Sequence, residues 1–479
     1  MRQLVTELPH TVCFLIDKNC RKDIFYMEGK EKKSGFSSKI GFVLAAAGSA
    51  VGLGNLWRFP YLAAQYGGGI FILVYIILAL TFGFTLMATE IGIGRKTKKS
   101  PSVAYRVLHS KFGFLGHIAI LVPMIILPYY CVIGGWVTKY MVTFLSGNGI
   151  EAAKDSFFGG FVGDAVSPLL YFAIFFGITA LVILLGVEKG IEKISKFLMP
   201  VLLVISIFIS VYVMTLPGAM EGVKYYLLPD FSKFSFKTVC AAMGQLFYSL
   251  SLAMGIMVTY GSYTKDETNL SKSVNHIEIF DTAVAFLAGF MVVPAVYIFS
   301  GVEGTQQSGA GLMFITLPKV FEQMKGGVII GALFFILVFL AALTSSISIM
   351  EAITSSFVDK FKITRKKAAL ICLVIAIALG IPSSLGNGVW SHITILGMDF
   401  LTFFDYLSNS VVMPIVALFT CILIGWILGA DTIIKELTKN GEKMGRAGLY
   451  RIMIKYVAPV MMVIILVFYT LAQFGVVKL

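Results

Sequence analysis

Charged side chains are scarce in this sequence. Asp, Glu, Lys and Arg together make up 14% of the 479 residues, whereas apolar residues make up 57%, and the mean hydropathy is +0.86. Soluble domains carry about 25% charged residues. This scarcity excludes a soluble globular protein and predicts a polytopic membrane protein, so the lipid bilayer is its first expected partner.

Cysteine is also scarce, and its spacing suits neither metal nor disulfide chemistry. The six cysteines are Cys13, Cys20, Cys131, Cys240, Cys372 and Cys421. Four of them lie inside apolar stretches, and we interpret them as packing residues. The sequence shows neither a nucleophile with a matching base nor a metal cluster, so we do not expect an enzyme.

The N-terminus lacks the layout of a signal peptide. Charged residues between Asp17 and Asp23 interrupt its first apolar run, which keeps that run too short for such a segment. A basic segment beginning at Met27 would itself make a sensible start of the chain. We hypothesise that residues 1–26 are a gene-model extension or a dispensable tail within a cytoplasmic N-terminal segment, residues 1–34.

Apolar stretches long enough to cross about 30 Å of hydrocarbon recur along the whole chain. They lie near residues 40–63, 70–93, 114–145, 167–186, 197–216, 239–263, 276–300, 327–357, 367–381, 399–429 and 451–476. The sequence therefore predicts eleven membrane spans.

The basic residues are distributed unequally between the two sides of these spans. With the N-terminus placed in the cytoplasm, the inner segments hold 30 Lys and Arg, and the outer loops with the C-terminal tail hold seven. The positive-inside rule then predicts a cytoplasmic N-terminus and an extracytoplasmic C-terminus. This topology accounts for the net charge of +13, so nucleic acid is not an expected partner.

The first apolar stretch has the composition of a broken helix. Residues 40–61 read IGFVLAAAGSAVGLGNLWRFPY, with three glycines between Gly48 and Gly54, followed by Asn55 and Arg58. Glycine weakens a helix by about 1 kcal/mol relative to alanine. Unwound backbone at membrane depth offers carbonyls to a cation, and a half-helix N-terminus suits a carboxylate. The alternative is a glycine-rich face packed against a neighbouring helix.

The sixth stretch, residues 239–263, repeats this composition. Gln245, Ser249 and Ser251 lie among apolar neighbours, and Gly255 follows them. Interrupted spans at positions one and six predict two five-span halves of inverted topology, with a binding site between them near the membrane midplane.

Other polar residues lie inside predicted spans. Asp281 lies about one turn inside the seventh span, where an acid is a functional hypothesis by default. Glu90 is either a helix-end charge or a support for neighbouring backbone. Thr344 and Ser345 either bond back to their own helix or serve the broken first span. Tyr130 lies mid-span, where a phenol needs a polar partner, which favours a cavity.

The motif AGSAVGLGNLWRFP, residues 47–60, closely resembles the first helix of the neurotransmitter:sodium symporter family. The similarity covers roughly residues 34–475. It implies an all-α membrane protein with 11 transmembrane helices, a 5+5 inverted repeat and discontinuous helices 1 and 6. Residues 35–476 would form a single transporter domain, with repeats at about 40–216 and 239–429 and an extra helix at about 451–476.

The resemblance also implies Na⁺ as cofactor, with two ions expected. Ligands of the first ion would be Ala50, Asn55, Ser249 and Asp281, completed by the substrate carboxylate. Ligands of the second ion would be Gly48, Val51, Ala341, Thr344 and Ser345. Carbonyls, hydroxyls and carboxylates are suitable hard ligands. Sharing the substrate carboxylate would make sodium binding and substrate binding mutually dependent.

The expected substrate is a hydrophobic or aromatic L-amino acid. Gly52 stands where monoamine transporters of the family have an Asp that pairs with the amine. By resemblance the pocket would be lined by Ala50, Gly54, Ile126, Tyr130, Tyr248, Ser251, Met254, Ser345 and Ile349. These residues are mostly apolar, and Met254 provides an adaptable lining.

Chloride dependence is not expected. Many family members have Asn where this chain has Asp281, and chloride-dependent members have Ser where it has Ala285. Chloride would there be held by groups matching Tyr75, Gln245 and Ser249. A fixed carboxylate at Asp281 can supply the same negative charge, and proton exchange at Asp281 stays open.

Gates are expected on both sides of the site. On the outer side, Arg58 is expected to meet Asp399, directly or through water. On the inner side, Asp359 is expected to lie near Lys33 and residues 37–39, although the family has Arg where Lys33 stands.

The sequence thus predicts a sodium-coupled symporter working by alternating access. The alternatives are a sodium-gated channel, since glycines and hydroxyls also line pores, and an amino-acid sensor that does not transport. Eleven spans match some bacterial relatives, so we expect a bacterial inner membrane and a monomer or loose dimer.

Overall fold

The computed structural model describes residues 35–476, and this part of the chain is helical throughout. It contains no β-strand, only isolated bridges between Gly68 and Pro229 and between Ile395 and Met398. The predictions for residues 1–26 and for Lys33 lie outside the described residues. The all-α fold class is confirmed.

The helices fall into long ones and short connecting ones. The long helices and the halves of interrupted ones are α1 Lys39–Ala50, α2 Gly54–Gln65, α3 Gly69–Thr97, α4 Ser110–Leu145, α5 Ser167–Leu184, α6 Val187–Met214, α7 Phe236–Ser249, α8 Ile256–Ser262, α9 Leu270–Thr305, α10 Gly327–Phe361, α11 Arg365–Leu385, α12 Phe400–Ile427 and α13 Ala447–Gln473. The short helices are Pro101–Leu108, Gly149–Ala152, Asp155–Gly163, Ala219–Leu227, Leu317–Gln323 and Asp431–Leu437.

Some of the described helices can cross a membrane by length and composition. Nine of them qualify, and the pair α1 and α2 makes ten if it is counted as one bent span. The helices α7 and α8 flank a break in the sixth predicted stretch. The count of eleven spans, the inverted repeat and the domain boundaries stay predictions.

The first predicted span is broken, as its glycines indicate. The axes of α1 and α2 differ in direction by 50°, and α1 ends where Val51 adopts an extended conformation with ψ of 102°. A Cβ atom on Gly52 would lie 2.6 Å from the hydroxyl oxygen of Ser345. The break therefore packs closely against α10, and a Cβ atom at residue 52 would displace the Ser345 hydroxyl.

The break between α7 and α8 uses left-handed backbone at residues other than glycine. Ser251 has φ of +52° and Ala253 has φ of +58°, and this conformation costs about 1–2 kcal/mol for an L-residue. Oε1 of Glu90, on α3, accepts a 2.6 Å hydrogen bond from the Ala253 N–H. Glu90 therefore supports neighbouring backbone, which decides between its two interpretations.

The cysteines within the described residues are packing residues. Cys131, Cys240, Cys372 and Cys421 are all free and buried. This agrees with the interpretation drawn from their spacing.

Candidate functional site

A cavity lies where the breaks of the first and sixth spans meet. Room for water-sized molecules amounts to about 20 Å³, and the empty volume of about 300 Å³ includes space open to solvent. Its lining residues are Ser49, Ala50, Gly52, Leu53, Gly54, Ile126, Tyr130, Tyr248, Ser249, Ser251, Met254, Ser345 and Ile349. Every residue that the sequence analysis assigned to a substrate pocket lies in this wall. Their role in binding stays a prediction.

One end of the cavity is polar and suits a carboxylate. Helix α2 begins at Gly54, and a helix N-terminus carries unpaired N–H groups and the positive end of the helix dipole. The Leu53 N–H lies 3.4 Å from the hydroxyl oxygen of Tyr130, whose side chain is buried. The lining also includes Ile126 and Ile349, which suit an apolar side chain.

Asp281 on α9 is the centre of a cluster beside this cavity and is fully buried. Its Oδ1 accepts hydrogen bonds from Nδ2 of Asn55 at 2.8 Å and from the Ser249 hydroxyl at 2.9 Å. Its Oδ2 accepts from the Tyr75 hydroxyl at 3.3 Å. The structure thus brings together Asn55, Ser249 and Asp281, while Ala50 lies in the adjoining cavity wall.

Asn55 is oriented in a way that bears on cation binding. Its Nδ2 faces Asp281, and its Oδ1 accepts a 3.1 Å hydrogen bond from the Gly52 N–H. Coordination of a cation by the amide oxygen next to Asp281 therefore requires the amide group to turn over. The remaining oxygens are hard ligands of the kind that Na⁺ binds.

The predicted second sodium site joins α1 to α10. The Ser345 hydroxyl lies 3.5 Å from the Gly48 carbonyl oxygen and 3.4 Å from that of Val51. The Thr344 hydroxyl donates to the Ala341 carbonyl at 3.1 Å, so Thr344 bonds back to its own helix while Ser345 reaches the broken span. All five predicted residues are brought together, and their role as sodium ligands stays a prediction.

Ser49 is a site residue that the sequence analysis missed. Its carbonyl accepts from the hydroxyls of Ser251 at 2.9 Å and Ser345 at 3.2 Å. Its own hydroxyl accepts from Ser348 at 2.7 Å and donates to Ser251 at 3.2 Å. Ser49 thereby connects both breaks to α10. The available signal was a lone hydroxyl within the run AAAGSAVG.

Two of the three residues predicted to hold chloride in relatives contact the Asp281 carboxylate. Tyr75 and Ser249 both donate to it. Gln245 donates from Nε2 to the Gly54 carbonyl at 2.8 Å. The carboxyl group of Asp281 is therefore already present between two of these donors.

The outer gate differs from the sequence prediction. The oxygens of Asp399 accept from the Thr402 N–H at 3.0 Å and from its hydroxyl at 2.6 Å, so Asp399 caps the start of α12. A direct ion pair between Asp399 and Arg58 is not formed within the described residues, which corrects the direct form of that prediction. Arg58 instead interacts electrostatically with Asp405, and its guanidinium lies 6.0 Å from the ring centroid of Tyr248.

Asp405 was missed although it belongs to the same motif, DFLTFFDY. Its Oδ1 accepts from the Tyr129 hydroxyl at 3.1 Å and from Asn409 at 2.6 Å. These contacts place the carboxylate between α4 and α12.

The predicted inner gate is described only in part, since Lys33 lies outside the described residues. Asp359 accepts a 2.7 Å hydrogen bond from the Ser100 N–H. Ser37 and Ser38 donate to the carboxylate of Glu192 at 2.6–2.9 Å. Glu192 therefore holds the segment that precedes α1, and the latch between Lys33 and Asp359 stays a prediction.

Sequence comparison finds relatives over nearly the whole chain. The sequence model of the sodium:neurotransmitter symporter family matches residues 33–149 and 162–477. An uncharacterized sodium-dependent transporter of Bacillus subtilis, YhdH, is 34% identical over 443 residues, which cover 91% of this chain and 97% of that protein. The rat sodium- and chloride-dependent taurine transporter is 28% identical, covering 83% of this chain and 72% of that protein.

Structural comparison gives a consistent result. The crystal structure of MhsT in complex with L-phenylalanine matches with a TM-score of 0.83 and 34% identity. The match covers 91% of this chain and 99% of that chain. Together with the apolar helices, these relatives identify a multi-pass membrane transporter and not an enzyme.

Proposed function

Because the chain belongs to the sodium:neurotransmitter symporter family, we propose that it is a sodium-coupled symporter that imports a hydrophobic or aromatic L-amino acid by alternating access. The observation that carries this proposal is the cavity shared by the two broken spans. It adjoins the oxygen cluster around Asp281 on one side and apolar side chains on the other.

The proposed binding mode follows from this polarity. The substrate carboxylate lies between the N-terminus of α2 and the Tyr130 hydroxyl, where the helix dipole stabilises it. Its side chain contacts Ile126, Met254 and Ile349. The same carboxylate completes the first sodium site with Asn55 and Asp281. Sodium binding and substrate binding then strengthen each other by equal factors.

An aromatic substrate is supported by the structural relative that binds L-phenylalanine. The absence of an acid at Gly52 supports a substrate that brings its own carboxylate. A second sodium ion is assigned to the group around Ser345, which connects the broken first span to α10. Independence of chloride is supported by the Asp281 carboxylate, which occupies the centre of the Tyr75 and Ser249 donors.

The proposed topology has eleven spans in a 5+5 inverted repeat with a cytoplasmic N-terminus and an extracytoplasmic C-terminus. A bacterial inner membrane is the proposed location. The support is the distribution of basic residues and the identity of 34% with a Bacillus subtilis transporter.

Uptake into proteoliposomes tests the function. Labelled phenylalanine, tyrosine, tryptophan and leucine are supplied with an inward Na⁺ gradient, with K⁺ replacing Na⁺ as control, and with gluconate replacing chloride. We expect accumulation above equilibrium that needs Na⁺ and persists in gluconate. Steady current without substrate dependence would instead identify a channel. Binding without accumulation of any substrate in a wider amino-acid panel would identify a sensor.

A further inference from the structure

A second buried carboxylate lies one helical turn from Asp281. Glu278 and Asp281 are both on α9, and their exposed fractions are 2% and 0%. Residues three apart on a helix are neighbours on its surface. Glu278 has no part in the sodium sites predicted from sequence. A buried charge is costly unless it is paired and hydrogen-bonded. The partner that balances the charge of Glu278 therefore also affects the electrostatic environment of Asp281.

That partner is Arg446, directly before α13. Its guanidinium engages Glu278 through two parallel contacts, Nη1 to Oε1 at 3.2 Å and Nη2 to Oε2 at 2.8 Å. Nη2 also donates to Oδ1 of Asn275 at 2.6 Å. Such bidentate pairs fix geometry as well as charge. Arg446 thus binds two side chains of α9, those of Glu278 and Asn275.

The same guanidinium also holds α3. Nη1 donates to the Leu80 carbonyl at 2.7 Å, and the guanidinium carbon lies 3.6 Å from the ring centroid of Phe84. The Leu80 carbonyl belongs to a π-helical turn, Ala79–Gly83, where the regular hydrogen-bond ladder is interrupted. One side chain therefore connects two helices that come from opposite halves of the proposed repeat.

These two helices are separated by an apolar cleft with an empty volume of about 770 Å³. Its lining includes Ile72, Ile76 and Ala79 on α3 and Ile279 and Phe286 on α9. Apolar walls give no directional contact that would set the spacing of the helices.

Polar contacts between α3 and α9 occur at two levels. One is the hydrogen bond of Tyr75 to Asp281 at 3.3 Å, and the other is the Arg446 group. Tyr75 precedes Leu80 by five residues, and Asp281 follows Glu278 by three, so the two levels are about one turn apart on each helix. The Arg446 contacts therefore determine where Tyr75 and Asp281 stand relative to each other.

We propose that Arg446 is a positioning residue for the sodium site at Asp281. By binding Glu278 and Asn275 on α9 and Leu80 on α3, it sets the separation of the two helices and neutralises the carboxylate nearest to Asp281. This inference rests on the first sodium site proposed above. It gives the segment before α13, which lies outside both proposed repeats, a part in sodium affinity.

The test is a sodium titration of amino-acid binding by the purified full-length protein. Labelled phenylalanine is the probe, or whichever amino acid the uptake assay identifies. Arg446→Gln removes the charge and the two-sided contact, and Arg446→Lys keeps the charge but cannot form the planar fork. Outer-shell partners of metal ligands change metal affinity by about 10-fold or more. We therefore expect Arg446→Gln to raise the half-saturating Na⁺ concentration about 10-fold and Arg446→Lys to raise it less.

The matched control is Arg451→Gln in α13, five residues after Arg446. Arg451 pairs with Asp431 at 2.8 Å in an exposed ion pair, so its loss should leave the sodium titration unchanged. At saturating Na⁺ the Arg446 variants should bind substrate with nearly wild-type affinity.

The outcomes separate this inference from the proposed function. If wild-type binding does not depend on Na⁺, the proposed function fails. If wild-type binding needs Na⁺ and both Arg446 variants titrate like wild type, with only a lowered unfolding temperature, Arg446 is merely structural and the inference is overturned. Should Arg446→Gln not fold, an unchanged half-saturating Na⁺ concentration in Arg446→Lys overturns it equally.

Discussion

The Ser249 hydroxyl donates a 2.9 Å hydrogen bond to Oδ1 of Asp281. It joins the end of α7, at the break of the sixth span, to the buried acid of α9. A cation at the proposed first sodium site between these elements would be stabilised by the Asp281 carboxylate, and the substrate carboxylate would be attracted to that cation. The consequences of the Asp281 charge can be measured.

Replacing Asp281 with Asn should make transport dependent on an added anion. The fixed charge is lost, so we expect sodium-driven uptake in gluconate to fall about 10-fold or more. In the double variant Asp281→Asn with Ala285→Ser, chloride should restore part of the rate. The measurement is uptake in chloride and in gluconate. Ala285→Ser alone is the control and should stay independent of chloride; equal uptake by Asp281→Asn in both anions would contradict the prediction.

Replacing Gly52 with Ala should weaken both ligands. The added Cβ would lie 2.6 Å from the Ser345 hydroxyl and 3.0 Å from that of Tyr130, so one or both side chains must move. We expect substrate affinity and sodium affinity each to fall about 10-fold, measured by equilibrium binding of labelled substrate. A glycine with no neighbour near its Cβ position is needed as a control. Gly147 is unsuitable, because its φ of +79° would strain an alanine even where space is free. Gly159→Ala is suitable because its Cβ would meet nothing within 4 Å, and binding should not change.

Glu90 should contribute to stability through one backbone contact. Its Oε1 accepts from the Ala253 N–H at 2.6 Å, and leaving a buried donor unpaired costs about 1–3 kcal/mol. We therefore expect Glu90→Ala to lower the unfolding free energy by about that amount, and Glu90→Gln, which keeps an acceptor oxygen, to lower it less. Thermal unfolding in detergent measures both. Identical unfolding of the Ala and Gln variants would argue against the contact.

The φ of +58° at Ala253 allows a complementary test of the same break. Glycine adopts this conformation without the steric cost of an L-residue. Ala253→Gly should therefore be neutral or stabilising, whereas glycine elsewhere in a helix destabilises by about 1 kcal/mol. Ala295→Gly, inside α9, is the comparison in the same thermal unfolding assay. A larger loss of stability at residue 253 than at residue 295 would contradict the assigned backbone.

The two acids of α12 should behave differently on neutralisation. Asp405→Asn removes the charge that faces Arg58, so we expect a lower uptake rate and faster exchange of bound substrate. Asp399→Asn should be close to wild type, because asparagine caps a helix as well as aspartate does. Uptake and substrate dissociation rates distinguish the two. The reverse order of effects would restore Asp399 as the outer gate.

The sequence predicted the positions of both breaks but not how they are held. The glycines from Gly48 to Gly54, together with Gly255, indicated where the helices are interrupted. The left-handed backbone at Ser251 and Ala253 has no such signal, and the Ala253 N–H donates its hydrogen bond to a residue 163 positions away. Long-range contacts of this kind are not encoded in local composition.

The outer gate shows a second reason why the sequence was insufficient. Asp399 and Asp405 lie in one motif, each next to an apolar run, so the sequence does not distinguish their roles. Only the hydrogen bonds of Asp399 to Thr402 reveal that its carboxylate is used as a helix cap. The same applies to Glu278 and Arg446, which are 168 residues apart and gave no sign of pairing. The observed helix ends differ from the predicted span ends for a simpler reason. Helix α9 spans Leu270–Thr305, and its polar ends lie outside the apolar stretch of residues 276–300 from which the span was predicted.

The doubly accepting carbonyl of Ser49 sets an energy scale for separating α1 from its partners in the proposed transport cycle. It accepts from the hydroxyls of Ser251 and Ser345 at 2.9 and 3.2 Å, so α1 moves away from the sixth-span break and from α10 only when both hydrogen bonds break. Each such bond contributes about 0.5–1.5 kcal/mol net. Their sum is small enough for thermal motion to break them without external work, on the microsecond to millisecond times of domain movements. Water beside Ser49 can replace both hydroxyls as donors to this carbonyl, so in the proposed transport cycle we expect wetting of this carbonyl to accompany the separation of α1 from these two partners.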